Sequence, residues 1–384
     1  MKYSGDSLSG SSEVDRMNIL PKQNDKPRTI FIFGAGASYP DGVPLQADII
    51  PRILMDTDPQ LIKSQISKRI KRFLAYNFCR GDKYPSLEEV FGFIDFFVSL
   101  DMSLSKQWGT DKLRCLKSDL IKVIHYLISK NTNRSDNFIL FWKTIKELNQ
   151  EVGVITTNYD TLIEEAFDSI YPICLLDYCV DLINYRYPES LIPFDWWVDP
   201  KKPVEIFDGI IPTRIRLIKL HGSLNWKYCN CCGQVALTPW QHQINLKTDS
   251  YESFLDSQTT ECPLDHNKLA SLIQAPTHYK SFHNYIFSKL YDEATYLLRS
   301  ASQLVFIGYS FPAADVHIRA LIRQSYKENG RIIVVNKSRA KDLRHRYESL
   351  AQNIEYYAMP FERFVRSGIF RDILSSDKSI QPAL

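Results

Sequence analysis

Five short apolar runs, each ending in a cluster of glycine or polar residues, constrain this chain more than any other feature. TIFIF leads into Gly34-Ala35-Gly36-Ala37-Ser38, VGVIT into Thr157-Asn158-Tyr159-Asp160, and RIRLIKL into His221-Gly222-Ser223. QLVFI leads into Gly308-Tyr309-Ser310-Phe311-Pro312, and RIIVV into Asn336-Lys337-Ser338. Continuous Val/Ile/Leu-rich runs of this length are the pattern of parallel strands buried on both faces. In an open α/β sheet, ligands bind in the crevice outside the carboxyl ends of the strands. The pattern therefore predicts a doubly wound parallel α/β sheet, with one composite pocket built from five turns.

The spacing between the runs divides the chain. From about residue 45 to 150 strand signals vanish, and apolar residues recur at helical spacing in Leu87, Val90, Phe91, Ile94 and Phe97 and again from Leu113 to Ile128. A parallel crossover needs only about a dozen residues, so this stretch reads as an inserted helical subdomain. Residues 1–27 are polar and Ser-rich and read as a tail, as do residues 375–384. The core domain is expected over 28–374, interrupted by an irregular aromatic-rich segment at about 178–207 and a cysteine-bearing module at about 228–268.

Composition narrows the function classes. Lys and Arg total 47 against 44 Asp and Glu, a net charge of +3 that is too small to argue for nucleic acid or an anionic membrane. No run of about 18 apolar residues occurs, and MKYSGDSLSGSSEVDRMN lacks the apolar core of a leader, so a cytoplasmic chain is expected. Eight cysteines in 384 residues do not make a disulfide scaffold, and four of them fall between Cys229 and Cys262, which suits reduced thiols with a metal site. The Trp196-Trp197 pair and the short basic face Lys68 to Arg72 read as packing and as a solvated surface, since no basic stripe accompanies the aromatics.

Chemistry concentrates at the run ends. Gly34-x-Gly36 follows a strand and precedes a helix, which suits either a nucleotide diphosphate or simply a tight strand-to-helix turn. Tyr39 replaces the third glycine of the dehydrogenase fingerprint, and no acidic strand end follows about twenty positions on, which disfavours an ordinary NAD dehydrogenase. Taken singly, Asn158 reads as a helix cap and His221 as a core histidine.

Taken together, GAGAS, TTNYD, HGS, IGYSFPAAD and Asn336 resemble the sirtuin-type, silent-information-regulator-like family, whose motifs come in this order. The resemblance runs from about residue 29 to 338, excluding the helical insertion. It implies a Rossmann-like fold and NAD⁺ bound by Gly34, Ala35, Gly36, Ser38, Thr157, Asp160, Gly308, Ser310 and Asn336. Asn158 and His221 would be the catalytic pair, with Asp315 a further pocket member or a helix cap. One departure matters: Gly42-Val43-Pro44-Leu45-Gln46-Ala47 lacks the Phe-Arg that protein-deacylating sirtuins carry in this stretch. The forms TTNYDTLIE, KLHGSLNW and IGYSFPAAD are similar to the bacterial branch of antiphage defence, whose members hydrolyse NAD⁺. That implies an NAD-depleting glycohydrolase; the competing readings are an NAD-dependent deacylase and a non-catalytic NAD or ADP-ribose sensor.

The same resemblance places a zinc ribbon after the HG motif. Cys229, Cys232, Cys262 and His266 supply a Cys₃His set for structural zinc, with Cys231 a competing ligand and a metal-free, degenerate ribbon as the alternative. Chains of this compact type resemble those encoded beside a HerA-like hexameric DNA-translocase ATPase, which implies that partner. The apolar load of Leu87, Phe91, Phe93, Phe96 and Phe97 suggests a homo-oligomer or an internal core, and the loop from Tyr39 to Gln46 is the candidate gate.

Overall fold

The computed structural model describes residues 29–55, 57–78, 83–132, 134–171, 174–180, 182–184, 213–237, 244–246, 250–251, 261–262, 264–276 and 284–376. The expected N-terminal tail, most of the aromatic-rich segment including Trp196-Trp197, and residues 377–384 lie outside them, whereas Ser375 and Ser376 end a helix.

The strands are β1 (Thr29–Phe33), β2 (Val152–Thr156), β3 (Cys174–Asp177), β4 (Leu182–Asn184), β5 (Thr213–Lys219), β6 (Gly222–Cys229), β7 (Val235–Leu237), β8 (Ile244–Asn245), β9 (Ser250–Tyr251), β10 (Leu269–Ile273), β11 (Gln303–Ile307), β12 (Arg331–Val335) and β13 (Ile354–Tyr357). Among the described residues the main sheet has seven strands, ordered β13-β12-β11-β1-β2-β5-β3 and parallel throughout. The five apolar runs are its five central strands, and the arrangement is Rossmann-like. The edge strands β3 and β13 are the two that the runs do not reveal: IEYY is half-buried throughout and lacks the two-sided apolar pattern.

Register explains why the strand ends meet. Lys219 pairs with Thr156, Thr156 with Phe33, Phe33 with Ile307, and Ile307 with Val335. Five strands thus end on one row, and the turns after them open at one edge. The chain builds outward from β1 on one side and returns through β11 on the other, so β1/β11 is the switch point where a ligand crevice is expected.

The helices, in chain order, begin with α1 (Ala35–Ser38), α2 (Gln46–Met55), α3 (Pro59–Lys63), α4 (Gln65–Asn77), α5 (Leu87–Ser99), α6 (Thr110–Asn131), α7 (Asp136–Glu147) and α8 (Leu162–Ile170). After β10 come α9 (Tyr285–Ser300), α10 (Val316–Ser325), α11 (Lys341–Glu348), α12 (Phe361–Val365) and α13 (Gly368–Ser376). Side chains alternate along a strand, so Phe31 and Phe33 share one face; their rings meet Phe141 of α7 at 4.9 and 5.3 Å, with Phe361 and Phe370 beside them. Helix α7 is therefore the sheet-covering crossover, and the helical subdomain proper is α2 to α6. Its termini are capped from the sequence: Asp58, Ser64 and Ser86 each accept a first-turn N–H, and Ser86 with Glu89 forms a full capping box.

The apolar load of α5 is mostly spent inside this subdomain. Leu87 and Phe91 are buried, and Phe93 packs against Phe73 and Phe78, while Phe96, Leu100 and Met102 stay exposed. No helix among the described residues is long and apolar enough to cross a membrane.

Candidate active site

The glycine turn and the β11 turn lock together backbone to backbone. Gly34 N–H donates to Ile307 O and Gly36 N–H to Gly308 O at 2.9 Å. A Cβ on Gly36 would lie 2.7 Å from Gly308 O, and one on Gly308, which sits at φ +62, 2.2 Å from Ala37 N. Glycine is required here by the approach of two turns. The helix that follows, α1, is a single turn continued by a 3₁₀ turn over Tyr39–Asp41, not the long helix of a dehydrogenase fingerprint.

Asn158 sits two residues past the end of the β2 ladder. Its amide nitrogen donates to Gly34 O at 3.2 Å and to Ser38 Oγ at 3.0 Å, and its backbone N–H to Thr156 Oγ1. The side chain is 8% exposed, and its Oδ1 has no hydrogen-bond partner among the described residues. A buried polar atom without a partner is costly, so the side chain is held by its donor end and its acceptor is the end left open to a further hydrogen bond. Asn158 does not cap α8: the cap position is Thr161, without a side-chain cap bond, and Asp160 Oδ1 accepts from the first-turn Leu162 N–H at 3.2 Å. Burial pushes the Asp160 carboxyl up, opposed by Lys219 and by the Ser38 hydroxyl.

Beneath these turns runs a fully buried cation. Lys219 donates to Asp160 O at 2.5 Å and to Glu164 Oε1 at 2.7 Å, with both side chains at most 1% exposed. A lysine inside the run RIRLIKL, and a glutamate at a buried position of TLIEEAF, were visible signals of an internal ion pair.

His221 lies two residues beyond β5. Its carbonyl accepts from Gln274 N–H at 2.8 Å, and Tyr159, beside its ring, donates to Gln274 O at 2.7 Å. Gly222, at φ +75, begins β6, and a Cβ there would lie 2.1 Å from Leu272 O; only glycine lets β10 approach so closely. The HG pair is thus a catalytic candidate followed by a steric necessity. The imidazole is 7% exposed, with Nε2 3.5 Å from Asp315 Oδ1.

These residues line one cavity of 590 Å³, within the usual range for small-molecule sites. Its strand-end wall brings together Ala35, Gly36, Thr157, Asn158, Asp160, His221, Gly308, Ser310, Asp315 and Asn336. Gly34 and Ser38 stand just behind this lining through their bonds to Asn158. Asn336 spends one donor on Tyr309 O and one acceptor on Ser338 N–H, so it braces the turn while facing the cavity. The opposite wall was not legible as a site: Leu87, Glu88, Ile124 and Ile128 come from the helical subdomain, where their spacing reads only as helix packing. The loop Tyr39 to Ala47 borders the opening, and Asp41 ties it to α7 by accepting from Ser135 Oγ at 2.6 Å and Asn137 Nδ2 at 3.2 Å.

The cysteine module hangs from β6, the strand that His221-Gly222 starts. Cys229, Cys232, Cys262 and Asp265 bring one ligand atom each within 4.8 Å of one another. Cys232 N–H and Leu264 N–H point at the sulfurs of Cys229 and Cys262 at 3.5 Å, as in a metal knuckle. Three thiols and a carboxylate suit four-coordinate zinc. His266 corrects the expected set: it is exposed, its backbone turns at φ +60, and its N–H closes the turn onto Cys262 O. Cys231 is exposed, outside the group. The missed signal was spacing, because Cys262-x-x-Asp265 repeats Cys229-x-x-Cys232.

A family profile describing a SIR2-like domain matches residues 152–357, more than half of the chain. The chain belongs to the SIR2-like family. No curated protein matches it significantly. Among solved structures it is similar to a Sir2 homologue in complex with NAD, at 14% identity over 91% of this chain and 90% of that one, with a TM-score of 0.44. It is also similar to a mutant Sir2 homologue bound to ADP-ribose, at 13% identity over 92% and 94% of the two chains and a TM-score of 0.43. A third is Sir2Tm bound to a propionylated peptide, at 17% identity over 91% and 94% and a TM-score of 0.41.

Proposed function

We propose that the protein is an NAD⁺ glycohydrolase, yielding nicotinamide and ADP-ribose, and that it serves as an NAD-depleting effector in antiviral defence. The observation carrying this reading is that Asn158, whose side-chain acceptor has no hydrogen-bond partner among the described residues, lines the same cavity as His221 at adjoining strand ends. In NAD⁺ the nicotinamide ring is cationic. When the C1′–N bond breaks, its electron pair passes to the ring nitrogen and the ring leaves neutral, so no general acid is needed. An ordinary glycosidase needs a carboxylic acid for its leaving oxygen. What remains is to orient the ribose, hold one water against C1′, and accept the proton that water loses. Asn158 Oδ1 would take a hydrogen bond from a ribose hydroxyl or the water, and His221 would take the proton. The absence of Phe-Arg after Pro44 supports hydrolysis over deacylation.

An unrestrained NAD⁺ hydrolase would exhaust its own cell, so the activity needs a gate. We assign that role to the Tyr39–Gln46 loop, in a homo-oligomer switched by a hexameric ATPase partner of the HerA-like kind. Light scattering on the purified chain tests the assembly, and a strict monomer at micromolar concentration refutes it. For the chemistry, His221→Ala should lower NAD⁺ turnover about a hundredfold or more with folding intact by circular dichroism. Turnover at the unmodified rate in that variant would overturn the assignment.

A further inference from the structure

We propose that Asp315 is the positioning residue for His221, holding the imidazole ring and raising its hold on the proton. The inference rests on the hydrolase reading above. Asp315 lies in the 3₁₀ turn after β11, on IGYSFPAAD, and is 4% exposed. Its two oxygens are used in different directions. Oδ2 accepts from the Tyr309 hydroxyl at 2.8 Å, and Oδ1 faces His221 Nε2 at 3.5 Å. Tyr309 is itself buried and fixed, since its carbonyl accepts from Asn336 Nδ2 at 3.1 Å and from the Tyr347 hydroxyl at 2.7 Å. The carboxylate is therefore set by the β11 and β12 turns, while the histidine is set by β5 and β10. The contact thus joins side chains carried by the two halves of the sheet, across the switch point.

Asp315 does not also cap its helix: no side-chain cap bond joins it to the first turn of α10. Its Oδ1 instead faces the imidazole, 3.5 Å from Nε2. If the ring proton resides on Nε2, next to Asp315, the other ring nitrogen carries the lone pair that a base needs. As that nitrogen takes the proton from water, the ring becomes a cation, and a carboxylate a few ångströms away in a buried site stabilises it. As C1′ bonds to the water oxygen, the positive charge left on the ribosyl fragment passes with that proton to the imidazole, so the step balances.

The other titratable groups around the ring are few. His317 lies 5.8 Å from it, ring to ring, and Tyr159 6.2 Å. Tyr291 and Tyr309 are held neutral by burial, with the Asp315 charge adding to it. Glu88 and Asp160 line the cavity farther along. Asp315 presents a carboxylate oxygen within 4.0 Å of the His221 ring, and a ring nitrogen of His317 lies within 4.8 Å of both.

The test reads the ring directly, so it does not depend on turnover. Histidine-selective NMR titration of the full chain, with His221 assigned from the signal lost in His221→Gln, gives its pKa in the unmodified protein and in Asp315→Asn. Tyr309 can still donate to the amide oxygen of that variant, so the turn is preserved. The His221 pKa should fall by about one unit or more in Asp315→Asn and stay within about half a unit of the original in Asp315→Glu, which keeps the charge. In the NAD⁺ assay, kcat should fall at least tenfold in Asp315→Asn with little change in KM, and the acid limb of the pH profile should move to lower pH with the His221 titration. An unchanged His221 titration in folded Asp315→Asn overturns the proposal and leaves Asp315 a brace for Tyr309. If Asp315→Asn does not fold, a His221 pKa at or below the ordinary histidine value in the unmodified chain overturns it equally. Lack of NAD⁺ turnover in the chain assembled with its ATPase partner, with the titration shift intact, would instead count against the hydrolase reading alone.

Discussion

The cavity has two walls of different construction. On the strand-end wall each functional side chain is held from behind: Asn158 by Gly34 and Ser38, His221 through its carbonyl by Gln274, and the turns by contacts that only glycine permits. On the helical wall, Leu87, Ile124 and Ile128 present apolar surface from helices packed on one another. The first wall positions atoms and leaves one acceptor without a partner; the second supplies shape and excludes water. Chemistry is expected to be sensitive to single atoms on one side and tolerant on the other.

The largest predicted effect sharpens that contrast. Asn158→Ala removes that acceptor and should reduce kcat by about a hundredfold or more, in line with the loss of a key oriented polar group. Ile128→Ala, on the opposite wall, should change KM severalfold and kcat little, with a stability loss of about 2–5 kcal/mol for a buried truncation. Steady-state kinetics with denaturant unfolding checks both, and equal losses of kcat would erase the distinction between the walls.

This division also marks what could be read in the sequence. The strand-end wall was legible because a buried parallel strand is a continuous apolar run, and the residue that breaks the run is where the ladder ends. Thus Asn158, His221 and Gly308 could be placed at strand ends around one crevice, while the pairing of Asn158 with His221 came from the family resemblance. The helical wall was not, because Ile124 and Ile128 obey the same periodicity as any core residue, and which face turns toward a distant turn is decided by packing. Asp265 and His266 show a third case. Both are metal-ligand types one residue apart, and the backbone turn at His266, not composition, decides which side chain enters the group.

The next effect tests the support of the strand-end wall. Lys219→Met leaves Glu164 and the Asp160 carbonyl buried without their cation, which should cost about 3–5 kcal/mol. The paired change Lys219→Met with Glu164→Leu should recover much of it. A neutral single variant in urea unfolding would show that the buried pair does not hold the turn.

Metal content comes next. The purified chain should carry about one zinc, lost in Cys262→Ser and weakened in Asp265→Ala but retained in His266→Ala. Elemental analysis decides; loss in His266→Ala with retention in Asp265→Ala would restore the Cys₃His set.

The smallest effect concerns the loop between the two walls. Burial raises the Asp41 carboxyl from 3.8 to about 6, against the opposing hydrogen bonds of Ser135 and Asn137. Between those values the folded chain holds a proton that the unfolded chain has lost, so this contribution to stability falls as pH rises from about 4 to 6. Asp41→Asn should flatten the melting temperature over that window and raise it slightly above pH 6, by thermal denaturation across pH. A profile identical to that of the unmodified chain would show that Asp41 titrates as an ordinary exposed carboxyl.

The central claim is that water, not an acyl group, is the acceptor of the ribosyl fragment. Product analysis by liquid chromatography and mass spectrometry should be run on NAD⁺ incubated with the chain assembled with its ATPase partner, with and without an acyl-lysine peptide. The account predicts nicotinamide and ADP-ribose in equal amounts, formed at the same rate in both reactions and absent with His221→Ala. Nicotinamide released only in the presence of peptide, accompanied by O-acyl-ADP-ribose, would contradict it.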